Sequence, residues 1–288
     1  MSDDASSKSL HIETVAIIGV GLIGGSIVAA LKERDCVGRV IGCGRNMERL
    51  QAAQNAGLLD EITTKISVAA SQANLVIVCT PVNRIVEDVQ SAAAHARPGT
   101  IITDGGSVKA AICDQLATGL PEGVTFVGSH PLAGSEKQGF EHARSDLFDG
   151  RLCVVTPVEN TPDEAIAHIR AFWAGIGATV VELSPRAHDR ILAKTSHVPH
   201  AAAAALAGLL EEADRPFAAS GFRDTTRIAA GDPALWTAIL LANADSVADG
   251  LGQLERRIAE IRQAIVQRDA SALKNLLAAA KTNRDALS

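Results

Sequence analysis

The residues best suited to chemistry begin with Val15-Ala-Ile-Ile-Gly-Val-Gly-Leu-Ile-Gly-Gly-Ser26. Gly19, Gly21 and Gly24 punctuate an apolar run there, a spacing that predicts a strand, a tight turn and a helix. Gly19 permits the turn, Gly21 lets a pyrophosphate approach the backbone, and Gly24 lets the helix pack on the strand. Leu22 and Ile23 open the helix, whose first N–H groups have no intrahelical partner and suit a phosphate. A dinucleotide is therefore the expected ligand. An NAD-specific fold of this kind places an acidic residue about 20 positions past the glycines, where it meets the ribose hydroxyls. Here Gly44 stands in that place and Arg45 follows. The carboxylate is missing, and a guanidinium can meet a 2′-phosphate in forked geometry. NADP is the favoured cofactor, with NAD held by other contacts as the alternative.

Two further segments lie where such sheets bind ligands, beyond strand carboxyl ends: Thr103-Asp-Gly-Gly-Ser-Val-Lys109 and Gly128-Ser-His-Pro-Leu-Ala-Gly-Ser-Glu136. His130, just past a predicted strand, has an ordinary pKa suited to taking a proton as a hydride leaves the same carbon. Later come His188-Asp189 and Ser196-His-Val-Pro-His200. His197 and His200 share a helix face with Ser196. Pro199 has no N–H for the Thr195 carbonyl, which predicts a kink. No acid or cysteine stands at zinc-ligand spacing around the histidine pair, so no metal is expected. Arg223 and Arg227 sit four apart in Gly221-Phe-Arg-Asp-Thr-Thr-Arg227, on one face if that segment is helical. Paired with the histidines, they suggest a site for a dicarboxylic substrate.

These groups need a scaffold. Strands are expected at Val15–Ile18, Val40–Cys43, Leu75–Cys79, Ile101–Thr103 and Thr125–Val127, alternating with helices as a doubly wound parallel sheet. Leu152–Val155 and Thr179–Glu182 extend it. After Pro185 the pattern turns helical over 188–212, 233–268 and 270–286, with Arg215–Phe222 as an interrupting loop. The expected division is a polar tail over 1–11, a dinucleotide-binding domain over 12–183 and a helical substrate and dimerisation domain over 184–288. So apolar a helical region calls for a second copy, and a homodimer is expected. A net charge of −6 and 3% aromatic residues argue against nucleic-acid binding. The longest apolar run, Ala201–Leu210, is about half of a membrane span. Five scattered cysteines and a polar N-terminus fit a cytoplasmic protein with reduced thiols.

Taken in order, GVGLIGGS, CTPV at Cys79–Val82, DGGSVK at Asp104–Lys109, GSHPLAGSEKQG at Gly128–Gly139, HD…SHVPH and GFRDTTRIA at Gly221–Ala229 resemble the prephenate/arogenate dehydrogenase family of tyrosine biosynthesis. The resemblance covers nearly the whole chain. It implies an α/β protein with an N-terminal Rossmann-type sheet and an all-helical C-terminal dimerisation domain. It also implies oxidative decarboxylation of prephenate to 4-hydroxyphenylpyruvate with hydride transfer to NAD(P), arogenate being the alternative substrate. By resemblance His130 is the base, Ser107 orients it, and Arg227 pairs with a substrate carboxylate. His197 and His200 line the pocket, Glu136 and Arg223 form an ionic gate over it, and Thr80 and Pro81 adjoin the cofactor. Trp236 is either an aromatic near that gate or plain core packing. Regulation through an appended ligand-binding domain is not expected, since the chain stops at Ser288. A β-hydroxyacid dehydrogenase would need an asparagine four residues after Lys194, where Val198 stands. A non-catalytic NADP-binding sensor would lack the base or the substrate arginine, and both are present.

Overall fold

The computed structural model describes residues 11–134, 137 and 139–287. Its first part alternates strands and helices: β1 (Ile12–Ile18), α1 (Leu22–Glu33), β2 (Val37–Cys43), α2 (Met47–Asn55), β3 (Glu61–Thr63), α3 (Ile66–Ala70) and β4 (Leu75–Val78). There follow α4 (Ile85–Ala93), β5 (Ile101–Asp104), α5 (Ala110–Leu116), β6 (Thr125–Pro131), β7 (Leu152–Thr156), α6 (Asp163–Gly175) and β8 (Thr179–Glu182). The eight strands form one sheet in the order β3-β2-β1-β4-β5-β6-β7-β8. All neighbouring pairs are parallel except β6 with β7. Strands such as Leu75-Val-Ile-Val78 are wholly buried because helices cover both faces. One face packs on α1 and α6 around Phe148, Phe172 and Trp173, the other on α4 and α5 around Ile85, Val89 and Ile112.

Within the sheet, two details differ from the sequence expectation. The three-residue β3 was not anticipated; it is too short for alternation to show and exists through pairing with β2. His130 lies within β6 rather than just past it. The antiparallel partner β7 extends that strand, setting His130 opposite Val154 and Pro131 opposite Cys153. Even so, the fingerprint loop, Gly44, Thr80, Gly105 and His130 all stand at the sheet's carboxyl edge, where the connections leaving the paired strands β1 and β4 run to opposite faces.

The helical part comprises α7 (Pro185–Leu192), α8 (Val198–Ala207), α9 (Ser220–Thr226), α10 (Pro233–Ala242), α11 (Ala244–Val266) and α12 (Ala270–Asp285). A single π turn over Ala193–His197 joins α7 to α8. The kink expected at Pro199 takes this form: the widened turn lets α8 restart with Pro199 in its first turn, where the missing N–H costs no bond. The segment expected as a loop is largely wound, as a 3₁₀ helix over Glu212–Phe217 and then α9. Acidic residues in the first turn of that 3₁₀ helix favour its N-terminal end. Within this single chain the helical surface leaves Leu209, Phe217, Leu241 and Val266 more than two-thirds exposed, at 77%, 83%, 71% and 76%. No described helix is long and apolar enough to cross a membrane.

Candidate active site

The glycine turn is a cradle built from close approaches. Gly19 has φ +96°, and a Cβ there would sit 2.8 Å from the Cys79 carbonyl carbon. At Gly24 a Cβ would come within 2.3 Å of the Gly19 oxygen, so helix and turn touch only because both lack side chains. Around Gly21 no atom lies within 4 Å of the Cβ position, which leaves room for a phosphate. Gly21 caps α1 without any side-chain bond, so the first amides of the helix face that space. A cavity of about 270 Å³ adjoins the turn, lined among others by Gly44, Arg45, Thr80, Pro81 and Arg84. The buried Thr80 Oγ1 has no hydrogen-bond partner among the described residues, as expected of a donor kept for a ligand. Arg84 is held by Asp88 at 3.0 Å and Glu87 at 3.6 Å. Arg45 is exposed and forms no ion pair among the described residues. The donor set fits a dinucleotide: amides and a hydroxyl for the pyrophosphate, guanidinium for the adenosine side.

Beyond this cradle, His130 heads a relay of side chains. Its Nδ1 lies 2.9 Å from His188 Nε2, and His188 Nδ1 lies 2.7 Å from Asp189 Oδ1. Asp189 also accepts the backbone N–H groups of Lys109 and Ala110, each at 2.8 Å. A carboxylate so placed only accepts, so His188 turns its Nδ1–H to Asp189, and the neutral form of that ring offers the lone pair of Nε2. His130 must then donate from Nδ1, which leaves its Nε2 bare as a proton acceptor. Burial, the neighbouring His188, the Lys109 cation and His197 push His130 well below its ordinary pKa, so the ring is neutral at neutral pH.

The residue before His130 is fixed by a buried cluster. Lys109 Nζ is ion-paired with Asp104 and donates to the Ser129 carbonyl at 2.8 Å. Asp104 Oδ1 accepts from Ser129 N at 3.1 Å, and the Asp104 carbonyl accepts from Ser129 Oγ at 2.5 Å. Trp173 Nε1 donates to the same hydroxyl at 2.9 Å. Ser107 is half-buried in the loop between these anchors, and among the described residues it makes no hydrogen bond to His130. The bond that orients His130 comes from His188. Sequence reasoning quoted His188, Asp189, Asp104 and Lys109 but assigned them no role. A carboxylate beside a histidine near a proline-started helix was the available signal.

A second group comes from the helical part. His200 stacks on Trp236 with centroids 3.5 Å apart and planes 10° apart, while His197 meets the same indole edge-on at 6.4 Å. Trp236 thus packs on the histidine pair as well as on the core beneath α10. His197 is pushed down to about 4, chiefly by burial, with His188 adding to the effect and Asp189 opposing it. His200 is lowered by burial, and its buried Nδ1 has no partner among the described residues. Asn243, between α10 and α11, touches both Asp189 and His197. Arg227 opens a 3₁₀ turn over Arg227–Ala230 that packs against α8, and it is exposed in the single chain. Arg223 Nε donates to the Ala218 carbonyl at 3.0 Å. Glu136, the other half of the expected gate, lies outside the described residues. Lys194, which a β-hydroxyacid dehydrogenase would need in its site, is exposed on the π turn.

Comparison with known proteins bears on both halves. The family model described as "Prephenate dehydrogenase, nucleotide-binding domain" matches residues 27–182, and "Prephenate dehydrogenase, dimerization domain" matches residues 184–279. The prephenate dehydrogenase of Bacillus subtilis is 36% identical, over 96% of this chain and 76% of its own length. The cyclohexadienyl dehydrogenase of Zymomonas mobilis is 35% identical, over 88% of this chain and 89% of its own. The crystal structure of prephenate dehydrogenase from A. aeolicus, in complex with hydroxyphenyl propionate and NAD+, superposes with a TM-score of 0.92. That match is 30% identical and covers 98% of this chain and 100% of the other.

Proposed function

The chain belongs to the prephenate dehydrogenase family, and on that premise we propose that it converts prephenate to 4-hydroxyphenylpyruvate by oxidative decarboxylation. The observation that carries this reading is the relay from His130 Nδ1 through His188 to Asp189, at the same sheet edge as the glycine cradle, which turns the other ring nitrogen of His130, Nε2, away from the relay. His130 Nε2 takes the proton of the ring hydroxyl, and the O–H electron pair becomes the new carbonyl bond. The bound nicotinamide dinucleotide supplies the acceptor for the hydride that leaves the hydroxyl-bearing carbon. The bond from the ring to its carboxylate breaks to release carbon dioxide, and its electron pair completes the aromatic ring, leaving the oxygen as a phenolate that takes its proton back from His130. Aromatisation supplies the driving force, so the protein needs only a base, alignment and charge pairing. Arg227 pairs with a substrate carboxylate, and His197 and His200 line the pocket beside it. Ser107 contacts the hydroxyl that His130 deprotonates, a role that rests on its match to the family motif.

NADP is the favoured cofactor. What supports this is Arg45, exposed and without an ion pair among the described residues, following a glycine in place of the expected acid. Arg84 is already neutralised by Asp88 and Glu87, so Arg45 is the free cation at that end of the cavity among the described residues. The active form is a homodimer, formed through residues 184–279, which covers the exposed leucines, Phe217 and Val266.

The test is reduced-cofactor absorbance with prephenate or arogenate, each with NADP or NAD. Prephenate with NADP should give the highest kcat/KM. His130→Asn should lower kcat by about 100-fold or more with cofactor affinity unchanged. Arg227→Ala should raise the substrate KM at constant NADP affinity. Silence of the wild-type protein in all four combinations, while it still binds the dinucleotide, would refute the assignment.

A further inference from the structure

We propose that Asn243 is a positioning residue that fixes His197 as a neutral ring with its proton on Nε2, so that His197 donates where His130 accepts. Asn243 is buried at the junction of α10 and α11. Its Nδ2 lies 2.8 Å from the Asp189 carbonyl oxygen. A carbonyl oxygen only accepts, so the amide end that faces it is the NH2 and not the oxygen. The second hydrogen of that NH2 points to His197 Nδ1, 3.1 Å away. An amide nitrogen does not accept, so His197 Nδ1 must offer its lone pair and the ring proton resides on Nε2. Turning the amide over would set two oxygens face to face at the Asp189 carbonyl in a buried place, a costly arrangement.

Burial independently keeps the ring neutral, holding His197 at about 4. Asp189 thereby sets two histidines in opposite senses. Its carboxylate, through His188, leaves His130 Nε2 bare; its carbonyl, through Asn243, leaves His197 Nε2 protonated. The neutrality matters because a cation at His197 would depress the His130 base further. A neutral donor serves an anionic substrate oxygen without that cost. This last step rests on the dehydrogenase reading, whereas the proton's position does not.

The proton's position is read by long-range 1H–15N correlation spectra of ring-labelled wild-type protein without substrate, with His197 assigned by the signal lost in His197→Asn. The expected pattern is an unprotonated Nδ1 and a protonated Nε2 at neutral pH. A proton on Nδ1, or an imidazolium, overturns the proposal, whether or not Asn243→Asp folds. In Asn243→Asp the new carboxylate accepts from His197, so the proton should move to Nδ1. The prephenate KM should then rise about 10-fold or more, as a hydrogen bond to a charged group is lost, at unchanged NADP affinity. A displaced proton with an unchanged KM overturns the substrate-facing role. Inactivity of the wild-type protein towards cyclohexadienyl acids would instead overturn the proposed function and leave the spectroscopic result standing.

Discussion

His130 and His188 meet at 2.9 Å, Nδ1 to Nε2, with ring planes 69° apart. One ring belongs to β6 of the sheet and the other to α7, the first helix after it. The bond therefore couples the orientation of the proposed base to the packing of the helical part on the sheet. Truncating His188 leaves His130 in place but free to rotate and to change tautomer. His188→Ala should lower kcat about 10- to 100-fold, less than His130→Asn, because alignment is lost while the base remains. Steady-state kinetics with cofactor titration checks this; an unchanged kcat would remove His188 from the relay.

The Asp104–Lys109 pair is wholly buried, and it anchors Ser129 immediately before His130. Removing one partner of such a pair strands the other charge in a place water does not reach. Lys109→Met should cost about 3–5 kcal/mol of stability. Adding Asp104→Asn to it should cost less than the sum of the two single changes, since the stranded carboxylate is gone. Urea midpoints at constant slope measure both. Purely additive losses would mean that the two charges do not interact.

Much of this was legible beforehand, for identifiable reasons. The glycines of the cradle announce themselves because close backbone approach excludes every other residue, and strands buried on both faces read as unbroken apolar runs. His130, His197 and His200 were visible as polar residues at motif positions. What stayed hidden depends on contacts between distant segments. The roles of His188 and Asp189 need α7 to be docked on β6 and on the start of α5. Asn243 lies 54 residues from the carbonyl it binds, at a helix junction that periodicity does not mark. The extension of β6 through His130 requires the antiparallel β7, a partner that local sequence does not name.

The depressed His197 has a consequence for stability. Its ordinary pKa is about 6.5, and in the folded chain it is held at about 4 by burial, with His188 adding and Asp189 opposing. Above pH 6.5 both folded and unfolded rings are neutral and nothing is lost. As pH falls below that value the unfolded ring binds a proton first, and unfolding becomes easier until the folded ring also titrates near 4. The loss across this window is on the order of 3 kcal/mol. Urea unfolding from pH 7 to pH 4 should show a decline that is shallower in His197→Asn. Parallel declines in the two proteins would show that His197 keeps an ordinary pKa.

The Gly44–Arg45 pair allows cofactor preference to be tested in both directions. Arg45 has no ion-pair partner among the described residues, so its guanidinium is free to meet a 2′-phosphate with forked, charge-assisted bonds. Arg45→Ala should weaken NADP about 10- to 100-fold, the worth of such a bond, and change NAD binding little. At Gly44 a Cβ would make only ordinary contact with Leu50, at 3.5 Å, so a side chain is accommodated there. Gly44→Asp should then tighten NAD through its ribose hydroxyls and weaken NADP by repulsion of the phosphate. Fluorescence titration of each variant with both reduced cofactors gives the ratios directly. Equal loss of the two cofactors in Arg45→Ala would place that arginine on a part they share and sink the NADP assignment, whatever Gly44→Asp does.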